Sequence, residues 1–122
     1  MNSESNFILN RIKAVKYAAK GFWILITSEK SIIAQVIISL IMTIFGFVMQ
    51  LSATEWMFQI FAIGLVLVAE SLNTAIEKLA DFIHPDHNKK IGFIKDVAAG
   101  AVFFASIFAL LTIYMIYSEK LF

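Results

Sequence analysis

The chain has 122 residues, a net charge of +1, 60% hydrophobic residues and a mean hydropathy of +0.82. Soluble domains are about 45–50% apolar and about 25% charged, so this composition, with only 16% charged residues, is that of a one-domain membrane protein. Cys is absent, which excludes a disulfide framework, a thiol nucleophile and a Cys-based metal site, and no basic patch with interleaved aromatics points to nucleic acid.

Met1 to Asn6 is polar, and no short apolar core with a small-residue cleavage site follows, which argues against a cleaved signal peptide. The first predicted helix covers residues 6–28. Lys13, Lys16 and Lys20 share one face, and Ile8, Ile12, Val15, Ala19 and Phe22 share another. This amphipathic pattern with a basic side predicts a helix lying on the membrane surface. Packing on a protein core is the plainer alternative.

Residues 31–50 carry no charge and form the first predicted crossing. At ~1.5 Å per residue the segment spans ~30 Å, the thickness of a bilayer core. The second crossing is predicted over 56–83, long enough to continue beyond the bilayer, and the third over 97–117. Trp56, Tyr114 and Tyr117 fall near the ends, where interfacial aromatics gather. Arg11, Lys13, Lys16, Lys20 and Lys30 precede the first crossing, and Lys89, Lys90 and Lys95 lie between the second and third. The link Leu51–Thr54 has no Lys or Arg. The positive-inside rule then predicts a cytoplasmic N-terminus, a cytoplasmic link at residues 84–95 and an external C-terminus. The fold expected is all-α: a surface helix plus three transmembrane helices in one domain over 1–122.

The chemistry concentrates in Glu70-Ser71-Leu72-Asn73-Thr74-Ala75-Ile76-Glu77, with Asp81 one turn on. At 100° per residue, Glu70, Asn73, Glu77 and Asp81 project within about 80° of one another. Glu70 lies ~21 Å along the helix from Trp56 and ~9 Å from the far interface. A carboxylate at that depth is costly and is a functional residue by default. Glu29 and Lys95-Asp96 fall on the same side of the membrane as Glu77. Carboxylates plus a Lys at a water interface suit magnesium and a nucleotide, since magnesium takes one or two carboxylates with phosphates and waters. No Gly-rich GxxxxGK[ST] loop is present, so the site expected is not a P-loop. Plainer roles stand beside these. Glu77 and Asp81 serve equally as solvated helix ends, Asn73 as a helix-packing amide, Lys95 as a topology charge, and His84 and His87 as solvated loop residues. A proton-carrying transporter accounts for Glu70 as well, and a structural membrane subunit accounts for the polar stripe.

The Glu70–Glu77 run, Asp81 and the later Lys95-Asp96-Val97-Ala98-Ala99-Gly100-Ala101-Val102 resemble the bacterial diacylglycerol kinase and undecaprenol kinase family. The resemblance covers nearly the whole chain and includes Lys13, Tyr17, Lys20-Gly21 and Glu29. It implies a small lipid kinase of the bacterial inner membrane that uses ATP and Mg2+ and forms a homotrimer with active sites shared between subunits. By resemblance, Glu70 is the general base on the lipid hydroxyl, and Glu29 and Glu77 are the metal ligands. Tyr17, Glu29, Glu77, Asp86, His87, Asn88, Lys95 and Asp96 match nucleotide positions. Asn73 and Lys95 match catalytic positions, and Glu70 and Ala99 match lipid contacts. Two departures stand out. Many members have Arg at the position of Asn10, and many read Phe-Arg-x-Glu or Phe-Arg-x-His where this chain has Ile32-Ile33-Ala34-Gln35. The resemblance implies phosphorylation of a primary lipid hydroxyl, with diacylglycerol preferred and undecaprenol the alternative.

Overall fold

The computed structural model describes residues 3–122, and all its regular structure is helical among them: α1 (Ser3–Ser28), α2 (Lys30–Val48), α3 (Ala53–Ile83) and α4 (Lys89–Leu121). The last three are long and apolar enough to cross a membrane. Large apolar side chains stand outward along all three, such as Phe47, Phe61 and Phe103. In water such a surface would drive aggregation, whereas in a bilayer it meets lipid.

α1 and α2 are separated by one residue. Glu29 adopts an extended conformation (φ −95°, ψ 112°) and caps α2 through its backbone, while its side chain makes no capping bond. The carboxylate is therefore free to reach another helix. α1 buries none of its residues and packs chiefly against α2.

The α2–α3 turn is tight. Gln50 takes a left-handed conformation (φ 55°), Gln50 N–H donates to Phe47 O at 3.2 Å and Leu51 N–H to Gly46 O at 3.2 Å. This is a Schellman ending, with Gln where Gly is usual. Ser52 then opens α3 with a capping box: its Oγ accepts from Glu55 N, and Glu55 Oε1 accepts from Ser52 N at 2.8 Å. Gly46 sits under Trp56, where a Cβ would come within 2.6 Å of the indole ring. The one compact apolar cluster among the described residues is here: Leu51, Ile116 and Tyr117 with Met42, Met49, Trp56 and Ile113.

α3 and α4 form the main hairpin. Ala62, Ala80, Ala98 and Ala105 are buried along it, and small side chains let membrane helices approach closely. The link is shorter than expected. α4 begins at Lys89 rather than near Val97, because Asn88 Oδ1 accepts from Lys90 N at 2.9 Å and Ile91 N at 3.4 Å and so caps a helix that starts before the apolar segment. Pro85 lies in the link, and the ring N–H at His84 Nδ1 donates to Asp86 O at 2.8 Å.

Candidate functional site

α3 carries the core of the site because one helical face gathers residues three and four apart. Asn73 Nδ2 donates to Glu77 Oε1 at 3.3 Å. Asn73 is buried (7% exposed), yet among the described residues its Oδ1 has no hydrogen-bond partner. A buried acceptor left open costs free energy, so a donor from outside the single chain is called for. One turn earlier, Glu70 is half-buried. Its backbone carbonyl accepts from Thr74 Oγ1 at 3.0 Å. Among the described residues, its carboxylate has neither a hydrogen bond nor an ion pair.

Two long-range ion pairs fix the rest. Lys78 on α3 meets Glu29 at 3.1 Å. Lys78 adjoins Glu77 in the chain, so Glu29 is drawn to the same turn of α3. Lys95 on α4 meets Asp81 on α3 at 2.5 Å. Both pairs are partly solvated, and their role is placement more than stability. Lys78 was not singled out from the sequence. An i, i+1 neighbour of Glu77 that points elsewhere carries no signal in spacing.

Pro85, Asp86, His87, Asn88, Ile91, Gly92 and Lys95 line a pocket of about 260 Å³. Four of the expected nucleotide positions, Asp86, His87, Asn88 and Lys95, thus share one cavity. Small-molecule sites usually hold about 300–1,000 Å³, so this cavity suits part of a nucleotide. Asp96 and Ala99 are exposed on α4 outside that pocket, and Tyr17 is exposed on α1. One chain therefore brings together Glu70, Asn73 and Glu77, ties Glu29 to Lys78, and leaves Tyr17 apart.

A separate apolar groove of about 300 Å³ lies between α2, α3 and α4, with Met42, Ile63, Val66, Leu110 and Ile113 on its walls and Gln35 and Ser39 at one side. Val66 precedes Glu70 by about one helical turn on the same face of α3, and Glu70 itself is not among the residues that line the groove. Ile32 is almost fully buried at 2% exposure, so this unusual residue packs inward.

No three or more His, Asp or Glu among the described residues gather as a ready-made metal cage. Glu29 and Glu77 offer oxygen donors, which is the chemistry magnesium prefers. Two carboxylates are enough when phosphates and water complete the shell.

A polar assembly at the opposite end was not anticipated. Gln59 is completely buried. Its Nε2 donates to Met42 O on α2 at 2.9 Å, and its Oε1 accepts from Tyr117 Oη on α4 at 2.6 Å. Nearby, Lys120 Nζ meets Glu55 at 3.1 Å and donates to Gln50 O at 3.3 Å.

Residues 16–117 match the family model described as prokaryotic diacylglycerol kinase. The undecaprenol kinase of Bacillus subtilis (strain 168) is 33% identical over 114 residues, which cover 93% of each chain. The chain belongs to the prokaryotic diacylglycerol kinase family, and it is a membrane lipid kinase.

Proposed function

We propose that this enzyme transfers the γ-phosphoryl group of magnesium-ATP to the primary hydroxyl of undecaprenol. Diacylglycerol is the second reading, favoured by the family description. The similarity to an undecaprenol kinase over 93% of the chain moves the weight toward the polyprenol. The observation that carries the catalytic reading is the Glu70 carboxylate, unpartnered among the described residues and one turn from the Asn73–Glu77 pair, with Val66 of the apolar groove one turn before it on the same face.

The lipid chain enters the groove and its hydroxyl meets Glu70. Glu70 takes the hydroxyl proton as the oxygen attacks the γ-phosphorus. The bond to the bridging oxygen of ADP breaks, and a lipid phosphate monoester and ADP leave. The proton on Glu70 then returns to water. Magnesium, when bound, neutralises phosphate charge, and Glu29 and Glu77 are the residues that would hold it. Lys95 and the Asp86–Asn88 link hold the nucleotide. Asn73 keeps Glu77 in place and offers its open Oδ1 to a donor from substrate or water. Positioning and electrostatics supply most of the catalysis in phosphoryl transfer.

The basic N-terminal segment and the Lys89–Lys95 stretch support a cytoplasmic site, with α1 on that face of the inner membrane as an amphipathic surface helix. The crossings expected at 31–50, 56–83 and 97–117 lie largely within α2, α3 and α4. Tyr17 stands away from the other positions and the pocket is small, which supports a homotrimer whose sites are completed by a neighbour.

The test is transfer of labelled phosphate from magnesium-ATP to undecaprenol and diacylglycerol, run side by side in mixed micelles. Label in undecaprenol alone, or several-fold faster there, is expected. Faster labelling of diacylglycerol would establish the second reading, and label in neither with ATP bound would point to a third lipid.

A further inference from the structure

The first two turns of α4 carry two different faces. Ile91, Gly92 and Lys95 turn toward the pocket of the Asp86–Asn88 link. Lys89, Lys90, Phe93 and Ile94 line a separate open depression. At 100° per residue the two sets point about 180° apart, so Lys89 and Lys90 face away from the candidate nucleotide pocket. Neither lysine has an ion pair among the described residues, and both are exposed. Phe93 and Ile94 are 69% and 47% exposed. Spacing of i, i+4 sets each lysine one turn above one apolar side chain.

Membrane topology accounts for the two charges but not for the exposed apolar pair beside them. The first turn of α4 has no acidic residue, and cations at a helix N-terminus are disfavoured by the helix dipole. Helix stability is therefore not why the lysines are there. The apolar pair does not help to close the hairpin, because it points outward. The exposed Phe82 and Ile83, at 88% and 65%, end α3 near the same link. The order along α4 is charge, then apolar ring, then a helix long enough to cross the bilayer. That is the order of chemistry met on passing from headgroups into acyl chains.

We infer that Lys89, Lys90, Phe93 and Ile94 form a docking surface for anionic phospholipid, with the two ammonium groups on headgroup phosphate and the two apolar side chains among the upper acyl carbons. A zwitterionic headgroup offers no net charge to the lysines, so the surface selects anionic lipid. Lysines near an anionic membrane surface gain about fivefold in affinity each. Docking here holds the Asp86–Asn88 link at headgroup height, beside the lipid hydroxyl.

The experiment uses the intact protein in phosphatidylcholine nanodiscs holding a trace of photoactivatable phosphatidylglycerol or, separately, photoactivatable phosphatidylcholine. Cross-linked peptides are mapped by mass spectrometry. The phosphatidylglycerol probe should label residues 89–94 at least about fivefold more than the phosphatidylcholine probe. The Lys89→Gln/Lys90→Gln variant should lose that preference, and the Lys89→Arg/Lys90→Arg variant should keep it. Equal labelling by the two probes, or a preference unchanged in the Gln variant, would overturn the inference. Loss of the label on adding magnesium-ATP would assign the lysines to nucleotide phosphates and overturn it too. Because the readout is lipid contact and not turnover, the inference can fail while the kinase reading stands, and the reverse.

Discussion

In the proposed mechanism two residues on one face of α3, Glu70 and Glu77, divide the chemistry, and each role has its own test. Among the described residues the Glu70 carboxylate has no hydrogen-bond or ion-pair partner, so no contact there depends on its charge. Glu70→Gln keeps the shape and removes the base. Turnover should fall by about 10²–10⁴-fold, the usual contribution of a positioned proton acceptor, while nucleotide binding measured by calorimetry stays within about twofold of wild type. Turnover near the wild-type level would remove Glu70 from the mechanism. Glu77 differs, because it is already held by Asn73 at 3.3 Å. Glu77→Gln retains a hydrogen-bonding group and loses a ligand charge. Its main effect should be on the magnesium dependence of ATP binding, with the half-saturating magnesium concentration raised about tenfold or more, an expectation from losing one of the two proposed carboxylate ligands. An unchanged magnesium titration would show that Glu77 is a packing residue. The two variants separate because one acts on the proton and the other on the phosphates.

At the scale of helices, the Gln59 assembly explains how a hairpin with mostly small, apolar contacts keeps its register. An apolar helix pair can slide by a turn at little cost, whereas a buried amide bonded on both sides fits only one register. Gln59 is bonded to α2 and α4 at once. Tyr117→Phe removes one bond and leaves Gln59 Oε1 open, so it should destabilise the protein by about 1–2 kcal/mol in detergent unfolding followed by helicity. Gln59→Leu/Tyr117→Phe should cost less than the sum of the single changes, since the pair shares one bond. A Tyr117→Phe protein that unfolds like wild type would reduce the assembly to coincidence. The same elements show what a reader of the sequence can reach. Charge-free stretches give three apolar helices, because the bilayer demands length and hydropathy and little else. The Glu70–Asn73–Glu77 ladder is legible because it lies within one helix. Tyr117 reads as an interfacial aromatic, since its partner is 58 residues away and only tertiary packing brings them together. The pairs Glu29–Lys78 and Asp81–Lys95 are hidden for the same reason. The early start of α4 was visible in Asn88, a good cap ahead of Ile91, but the polar residues before Val97 masked it.

For the whole molecule, the proposed site is not completed within a single chain. α1 buries nothing and packs chiefly on α2, and Tyr17 is 69% exposed. A tyrosine used for nucleotide contact has to reach a site, and Tyr17 is not among the residues that line the α3–α4 link pocket of its own chain. The proposed homotrimer, with cyclic symmetry, would resolve this by laying α1 of one subunit over the link of the next. Mixing two defective variants tests the arrangement. Glu70→Gln subunits lack the base but carry Tyr17, and Tyr17→Ala subunits carry the base but lack the aromatic ring. If each site takes Tyr17 from its neighbour, random 1:1 trimers restore about one quarter of the sites to full composition, as expected for cyclic pairing of two subunit types. Activity in the mixture, refolded together from denaturant, should then exceed half that of Tyr17→Ala alone. If each site is built within one chain, no site in the mixture has both groups, and activity should equal half that of Tyr17→Ala. The gap between these outcomes grows with the severity of Tyr17→Ala, which the unmixed variant measures directly. A mixture of wild type and Glu70→Gln supplies the remaining control. It should lose activity in proportion to the wild-type fraction, because each site has a single Glu70 whichever subunit lends the tyrosine.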